Sequence, residues 1–321
     1  MGSLLEGIEE AHRGIRPQVP VSGLERSAAL SARHGLDIWL KCEHLQPTGS
    51  FKIRGATNKI RLLSGEGRRR GVVTASTGNH GRAVAHAAGA AQVPATVFVS
   101  SSAPDHKLAA IRSLGARLVT VGGDPLEVEQ QARAHAEAVG LPYISPYNDV
   151  EVVAGQGTIG MELLEQRPDL DAVFVSVGGG GLIGGIGTAL KRHRPRVRIV
   201  GVWPENSLDL LKKLRPDEVT DGTERPTLSD STAGPIEPQS VTIAICERVI
   251  DETVTVTEAE IGEAMRQLAE ADHWITEGAA GVALAGLLKR AEDYRGRSAA
   301  VVICGRNIAL ETFLSVMNAA P

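Results

Sequence analysis

The strongest constraint on this chain is an alternation of two kinds of segment. Short runs rich in β-branched residues trade places with Ala-rich stretches of helical length. Residues 38–42 read as a strand and 51–63 as a helix. Strands at 71–75, 95–99 and 116–121 are each followed by a helix, at 80–91, 105–114 and 125–138. A second set runs strand 172–177, a turn of four glycines, helix 182–192 and strand 197–203. Then come a strand at 253–256, a helix opened by the capping box Thr257 and Glu260, a small-residue helix at 278–288 and a last strand at 299–303. Such alternation builds βαβ units, so the fold class is α/β with doubly wound parallel sheets. Strand 172–177 is almost wholly apolar, as both-face burial demands. Residues 214–240 carry no period, and so long an unstructured stretch suggests function. The run Arg68-Arg69-Arg70 reads as a solvated loop.

Composition narrows the function classes. The 321 residues suggest two domains. Aromatics are only 3%, which argues against stacking platforms for single-stranded nucleic acid. Lys plus Arg number 34 against 38 for Asp plus Glu, so there is no basic footprint for a nucleic-acid partner. Cys42, Cys246 and Cys304 are too scattered for a disulfide framework or a zinc site, which fits a reducing, cytoplasmic setting. No apolar stretch has membrane-spanning length, and acids within the first ten residues break a signal-peptide layout. Glu6 also breaks the myristoylation pattern. The expected partner is a small molecule, with no nucleic acid and no membrane.

Three motifs carry chemistry. Gly178, Gly179, Gly180 and Gly181 lie between a strand and a helix, where backbone N–H groups and the helix dipole can hold a phosphate. A tight strand–helix turn would also use glycine there. Gly179, Gly181 and Gly184 match the dinucleotide fingerprint as well, with Glu205 near the place of a ribose-binding acid, so a nicotinamide-dependent dehydrogenase competes. Gly155-Gln156-Gly157-Thr158-Ile159-Gly160 has the same spacing but no preceding strand. The second motif places Lys52, beside Phe51, in the first turn of a helix after a Pro47-Thr48-Gly49-Ser50 turn. The helix dipole disfavours an ammonium there, which suits a Schiff-base lysine, although position alone fits an ordinary surface lysine better. The third motif is Ser76-Thr77-Gly78-Asn79-His80-Gly81, a strand end opening a helix. Its hydroxyls, amide and N–H groups could cradle a carboxylate or simply cap the helix.

Taken together and in order, these motifs resemble the fold-type II pyridoxal-phosphate enzymes, the tryptophan synthase β-like group. They resemble most the threonine/serine dehydratase and serine racemase branch, over about residues 15 to 316. The resemblance implies pyridoxal 5'-phosphate as cofactor and an amino acid as substrate. Lys52 would bind the cofactor as a Schiff base and act as base at Cα. Asn79 would bond the phenolic oxygen, and Phe51 would pack near the ring. The backbone of Gly178, Gly179, Gly180, Gly181 and Leu182 would hold the phosphate, and Cys304 would face the pyridine nitrogen. Ser76, Thr77, Gly78, Asn79 and His80 would bind the substrate carboxylate. The implied reaction is α,β-elimination from L-threonine, L-serine or a related β-hydroxy amino acid, releasing a 2-oxo acid and ammonia. A Cys at 304 cannot keep the pyridine protonated as an Asp would, and the weaker electron sink suits elimination. A homodimer is also implied, with a small mobile domain at 70–147 set into a larger one formed by 1–69 and 148–321.

Departures sharpen this expectation. Thr77 stands where racemases carry an acid/base Ser, so racemisation is the alternative activity, with Thr77 as a second catalytic group. Trp203 stands where racemase-like members carry a metal-binding Glu, so no metal is expected, although Asp209 could match a second ligand. Leu228-Ser229-Asp230-Ser231-Thr232-Ala233-Gly234 replaces the usual substrate loop, and Arg306 replaces a glycine before Asn307. These variants look most like the hydroxyectoine-utilisation dehydratase subgroup, which implies a specialised hydroxy amino acid. The short stretch after Asn307 leads us to expect no isoleucine-binding regulatory domain.

Overall fold

A computed structural model describes residues 3–319. Its strands are β1 (Leu24–Arg26), β2 (Asp37–Lys41), β3 (Val72–Ala75), β4 (Ala95–Ser100), β5 (Arg117–Val121), β6 (Ala172–Ser176), β7 (Arg198–Pro204), β8 (Glu252–Val256) and β9 (Ser298–Val302). Six of them form one sheet in the order β1-β2-β9-β6-β7-β8, and β3-β4-β5 form a second. The pairs are parallel except that β1 runs antiparallel to β2. The α/β expectation holds, with a parallel core in each sheet.

Burial explains the composition of these strands. Every residue of β6 and of β9 is buried, so both lack a polar face. Successive side chains point to opposite faces. In β7, Val202 lies against Gly286 of the helix Gly278–Lys289, whereas a Cβ on Gly201 would meet Ile183 of the helix Gly181–His193 at 3.3 Å. The two helices therefore cover opposite faces of the large sheet. Each fully buried Val, Ile or Phe in this layer contributes about 1.5–3 kcal/mol of transfer free energy. The small sheet repeats the pattern. Val73, Ala75 and Phe98 pack on Val128, Ala132 and Ala136, while Val97 and Val99 pack on Ala85 and Ile111.

The helix Lys52–Arg61 joins the layers. It packs on both the helix Asn79–Ala90 and the helix Val150–Gln166. Glycine makes the second contact possible: a Cβ on Gly155 would lie 2.6 Å from the Cα of Gly55. The glycine run at 155–160 is thus the interior of a buried helix and not a strand–helix turn. That helix escaped the sequence analysis, as did Leu4–Gly14, Ala28–His34, Val241–Val249 and Leu310–Asn318. The glycines of 150–166 and the short lengths of 28–34, 241–249 and 310–318 hide the helical period there. Residues 65–70 are a helix and not a loop, capped by Ser64, with its three arginines all exposed, as a solvated run requires. Residues 219–240 are irregular apart from turns, and part of that segment reaches the cavity described below.

Candidate active site

A cavity of about 280 Å³ opens where β3 and its loop, the start of the helix Lys52–Arg61 and the C-terminal ends of β6 and β9 converge. Phe51, Lys52, Ser76, Thr77, Gly78, Asn79, His80, Gly178, Gly179, Gly180, Gly181, Leu182 and Cys304 all line it. The tertiary structure therefore brings together every site residue expected from the sequence.

Lys52 is the first residue of its helix, with Phe51 at the N-cap. Its Nζ donates to the Pro146 carbonyl at 2.8 Å and sits 5.2 Å from the centre of the Phe51 ring. Burial pulls the ammonium down to about 8, against the opposing charges of Glu129, Cys304 and Glu277. The helix dipole acts in the same direction as burial. This lysine is poised to be a neutral amine far more often than a surface lysine.

The glycine loop faces it. Gly180 has φ +81°, and a Cβ on Gly179 would lie 2.3 Å from Cγ of Tyr147, so glycine is required at both positions. Among the described residues no side chain caps the helix Gly181–His193. Its first N–H groups lack intrahelical acceptors and open onto the cavity, an anion site by construction.

The loop after β3 is half-buried from Ser76 to Gly78, and Ser76 Oγ accepts from Gly78 N at 3.1 Å. A Cβ on Gly81 would lie 2.3 Å from the Ser76 carbonyl oxygen, which explains the glycine that closes the motif. Asn79 Nδ2 donates to both oxygens of Glu277 at 2.9 and 3.0 Å, and Oδ1 accepts from Asn307 Nδ2 at 2.6 Å. His80 is buried and donates from Nε2 to the Ile144 carbonyl at 3.1 Å. Burial, then the Lys52 charge, depress it to about 3, so its ring is neutral and brings no charge to a carboxylate.

Cys304 follows β9, and Ser176 ends the neighbouring β6. Ser176 Oγ donates to Cys304 Sγ at 3.6 Å. Burial first, and then Glu277, push the thiol well above its usual range, so it stays neutral. Trp203, by contrast, is buried in the core. Asp209 is paired with Lys213 at 2.5 Å and accepts from Ile236 N. Among the described residues no group of three His, Cys, Asp or Glu side chains gathers as a metal site.

Glu277 is the residue sequence reasoning missed. It precedes the helix Gly278–Lys289 and is fully engaged by Asn79, Ser231 Oγ at 2.9 Å and Asn307 N at 3.1 Å. Burial raises it above the usual carboxylate range in spite of these donors. An acid just before a glycine-rich helix that does not cap that helix was the available signal. Ser176, Tyr147 and Glu129 were missed as well, and no spacing marks them.

An amine at one end and uncapped N–H groups at the other suit a ligand bearing an aldehyde and a phosphate. A family model described as pyridoxal-phosphate dependent enzyme matches residues 15–305. The chain belongs to that family. It is 41% identical to an L-threonine ammonia-lyase of Thermotoga maritima over 98% of this chain and 78% of that protein. Its structure is similar to a threonine deaminase isoform 2 of Solanum lycopersicum, with TM-score 0.89, 32% identity, and 98% and 92% of the two chains covered. A serine racemase of Dictyostelium discoideum matches with TM-score 0.87 and 32% identity over 95% and 99% of the chains. Membership of the pyridoxal-phosphate family overturns the dehydrogenase alternative. The physical reason is visible too: the glycine loop faces the Lys52 cavity, whereas Glu205 is exposed and does not line it. No described helix is long and apolar enough to cross a membrane.

Proposed function

We propose that this pyridoxal-phosphate enzyme is an ammonia-lyase that eliminates water from L-threonine, L-serine or a related β-hydroxy amino acid. The observation that carries the reading is Lys52, half-buried, its ammonium pulled down to about 8 and set opposite an uncapped glycine helix start in one cavity. The threonine ammonia-lyase and threonine deaminase relatives support it.

When bound, the cofactor supplies the electron sink that makes the substrate's Cα–H acidic. Lys52 would hold it covalently, and the N–H groups from Gly178 to Leu182 would hold its phosphate. Cys304, kept neutral by burial, would meet its ring nitrogen without donating a full charge, and Asn79 would meet its phenolic oxygen through the amide that Glu277 orients. The N–H groups and hydroxyls of residues 76–80 bind the substrate carboxylate, the ring of His80 serving as packing. With its amine free, Lys52 Nζ would be the base that takes the Cα proton. Ammonia and a 2-oxo acid are the end products. Thr77 offers a hydroxyl on the same loop. A serine racemase among the structural relatives makes racemisation the second reading.

The residues between 70 and 147 form the unit that closes over the substrate. The exposed Leu45, Ile275, Leu310 and Leu314, the first two next in sequence to the packed His44 and Trp274 rings, support a homodimer. Three free, buried cysteines suit a cytoplasmic setting.

The test is a visible spectrum of purified protein with and without borohydride, and a 2-oxobutyrate assay on L-threonine. A yellow protein trapped by borohydride at Lys52 that releases 2-oxobutyrate meets the expectation. A yellow protein inert to threonine and serine points to a specialised substrate, such as a hydroxy amino acid of the hydroxyectoine subgroup. Retained substrate that exchanges its Cα hydrogen points to racemisation. A protein that cannot bind pyridoxal phosphate refutes the reading.

A further inference from the structure

One hydroxyl in the cavity wall has no part in these steps. Ser176 ends β6, whose other residues are Ala172, Val173, Phe174 and Val175. β6 and β9 run parallel with Phe174 level with Val301, so Ser176 and Cys304 come together where the two strands end. Both are buried, and both line the cavity. Ser176 Oγ donates to Cys304 Sγ at 3.6 Å. Most side-chain hydrogen bonds in proteins run to backbone or water. A buried hydroxyl that donates to sulfur instead has taken a weak acceptor. That choice adds little stability, and it suits a group whose task is to hold the thiol.

The contact decides where the thiol hydrogen can go. A thiol has one hydrogen to give, and its sulfur is the acceptor here. The side of the sulfur that faces Ser176 is taken by the serine hydrogen, so the S–H turns elsewhere. Glu277 acts on Cys304 as well, but its two oxygens already receive Asn79 Nδ2, Ser231 Oγ and the N–H of Asn307. Lys52, the cation acting on the thiol, is a donor and cannot accept its hydrogen. That leaves the cavity side, where the ring nitrogen of the cofactor would lie. We propose that Ser176 is a positioning residue, whose hydroxyl turns the Cys304 S–H toward the ring nitrogen of bound pyridoxal phosphate. The proposal rests on the cofactor placement given above. Burial, and then Glu277, hold the thiol neutral, so the proton stays on sulfur. The nitrogen then receives a hydrogen bond and no positive charge. The pair thereby tunes how strongly the ring draws electrons. Without Ser176 the thiol turns freely about its Cβ–Sγ bond, and a sulfur lone pair can face the nitrogen instead.

The experiment loads wild type, Ser176→Ala, Cys304→Ala and the double variant with pyridoxal phosphate carrying ¹⁵N in its ring. Two quantities are read, the ring ¹⁵N resonance and the cofactor Kd, and neither depends on turnover. The wild-type resonance should fall between the positions of a free and a protonated pyridine. Ser176→Ala should move it toward the position found in Cys304→Ala and weaken cofactor binding roughly two- to tenfold, the range for one net hydrogen bond. In the Cys304→Ala background, removing Ser176 should change neither quantity, because the positioning role acts only through the thiol. A wild-type resonance in Ser176→Ala, or the same loss of affinity with and without Cys304, would overturn the proposal. A fully protonated ring nitrogen in wild type would overturn it too. If Cys304→Ala itself leaves the resonance unmoved, Cys304 does not meet the nitrogen, and the cofactor placement fails together with this proposal. The ammonia-lyase reading is decided separately, by the 2-oxobutyrate assay.

Discussion

Arg54 lies two residues beyond Lys52 and offers the most direct test of how the active lysine is held. Its fully buried guanidinium donates to Glu43 through Nε and Nη2 at 2.7 Å each. It donates to Glu162 at 2.6 and 2.8 Å and to Thr158 Oγ1 at 2.9 Å. Lys41 and Arg16 also pair with Glu162, at 2.6 and 2.7 Å. Arg54→Met keeps the apolar stem and removes the charge. Glu162 would retain two cations, but Glu43 would retain only the Ser22 hydroxyl. Removing one partner of a buried pair costs about 3–5 kcal/mol, because the other charge stays buried. For a chain of this size that lowers Tm by on the order of 10 °C. The assay is a double-mutant cycle of Arg54→Met and Glu43→Gln, followed by calorimetry. Neutralising Glu43 in the Arg54→Met background should recover about 1 kcal/mol or more, since it removes the stranded charge. A single variant within about 0.5 kcal/mol of wild type, or a double variant no more stable than the single, refutes the reasoning.

Three further outcomes follow from the geometry. Gly179→Ala drives a methyl group to 2.3 Å from the Tyr147 ring, and overpacking of that kind costs about 1–3 kcal/mol. Pyridoxal-phosphate affinity, read by fluorescence titration, should fall at least about tenfold, and unchanged affinity would count against the phosphate site. A Lys52 near 8 is about one-tenth neutral at pH 7, against roughly 0.03% for an ordinary lysine. The rate of cofactor loading should therefore climb from neutral pH and level off above about 8. A climb continuing through the ordinary lysine value would refute the shift. Burial pushes Cys42 and Cys246 up to about 12 and Cys304 higher still, so a thiol reagent at mildly alkaline pH should label none of them until the protein is unfolded. Fast labelling of native Cys304 would show an open, ionised thiol instead.

Much of the fold was legible because it rests on local periodicity. The runs at 172–177 and 299–303 announce strands buried on both faces, and both are central in the large sheet. The helix Val150–Gln166 was not legible, since Gly155, Gly157 and Gly160 look like a phosphate loop until their neighbours are known. Each of these glycines meets another helix where a Cβ would clash, which is a tertiary property. The arginines at 68–70 looked like a loop because a six-residue helix shows too little period.

Lys52, the Ser76–His80 run and the four glycines declare themselves along the chain, because their chemistry depends on turns and helix starts that nearby residues set. Their meeting in one cavity, and the depressed Lys52, come from packing. Glu277 reaches Asn79 across 198 positions, and Ser176 reaches Cys304 across 128. Glu129 is pushed up by burial and by Glu237, against Lys52 and Arg133, and no spacing encodes that balance. An ionisable group's charge is set by solvent exclusion and by neighbours within a few ångströms, and those exist only once the sheets have brought distant segments together.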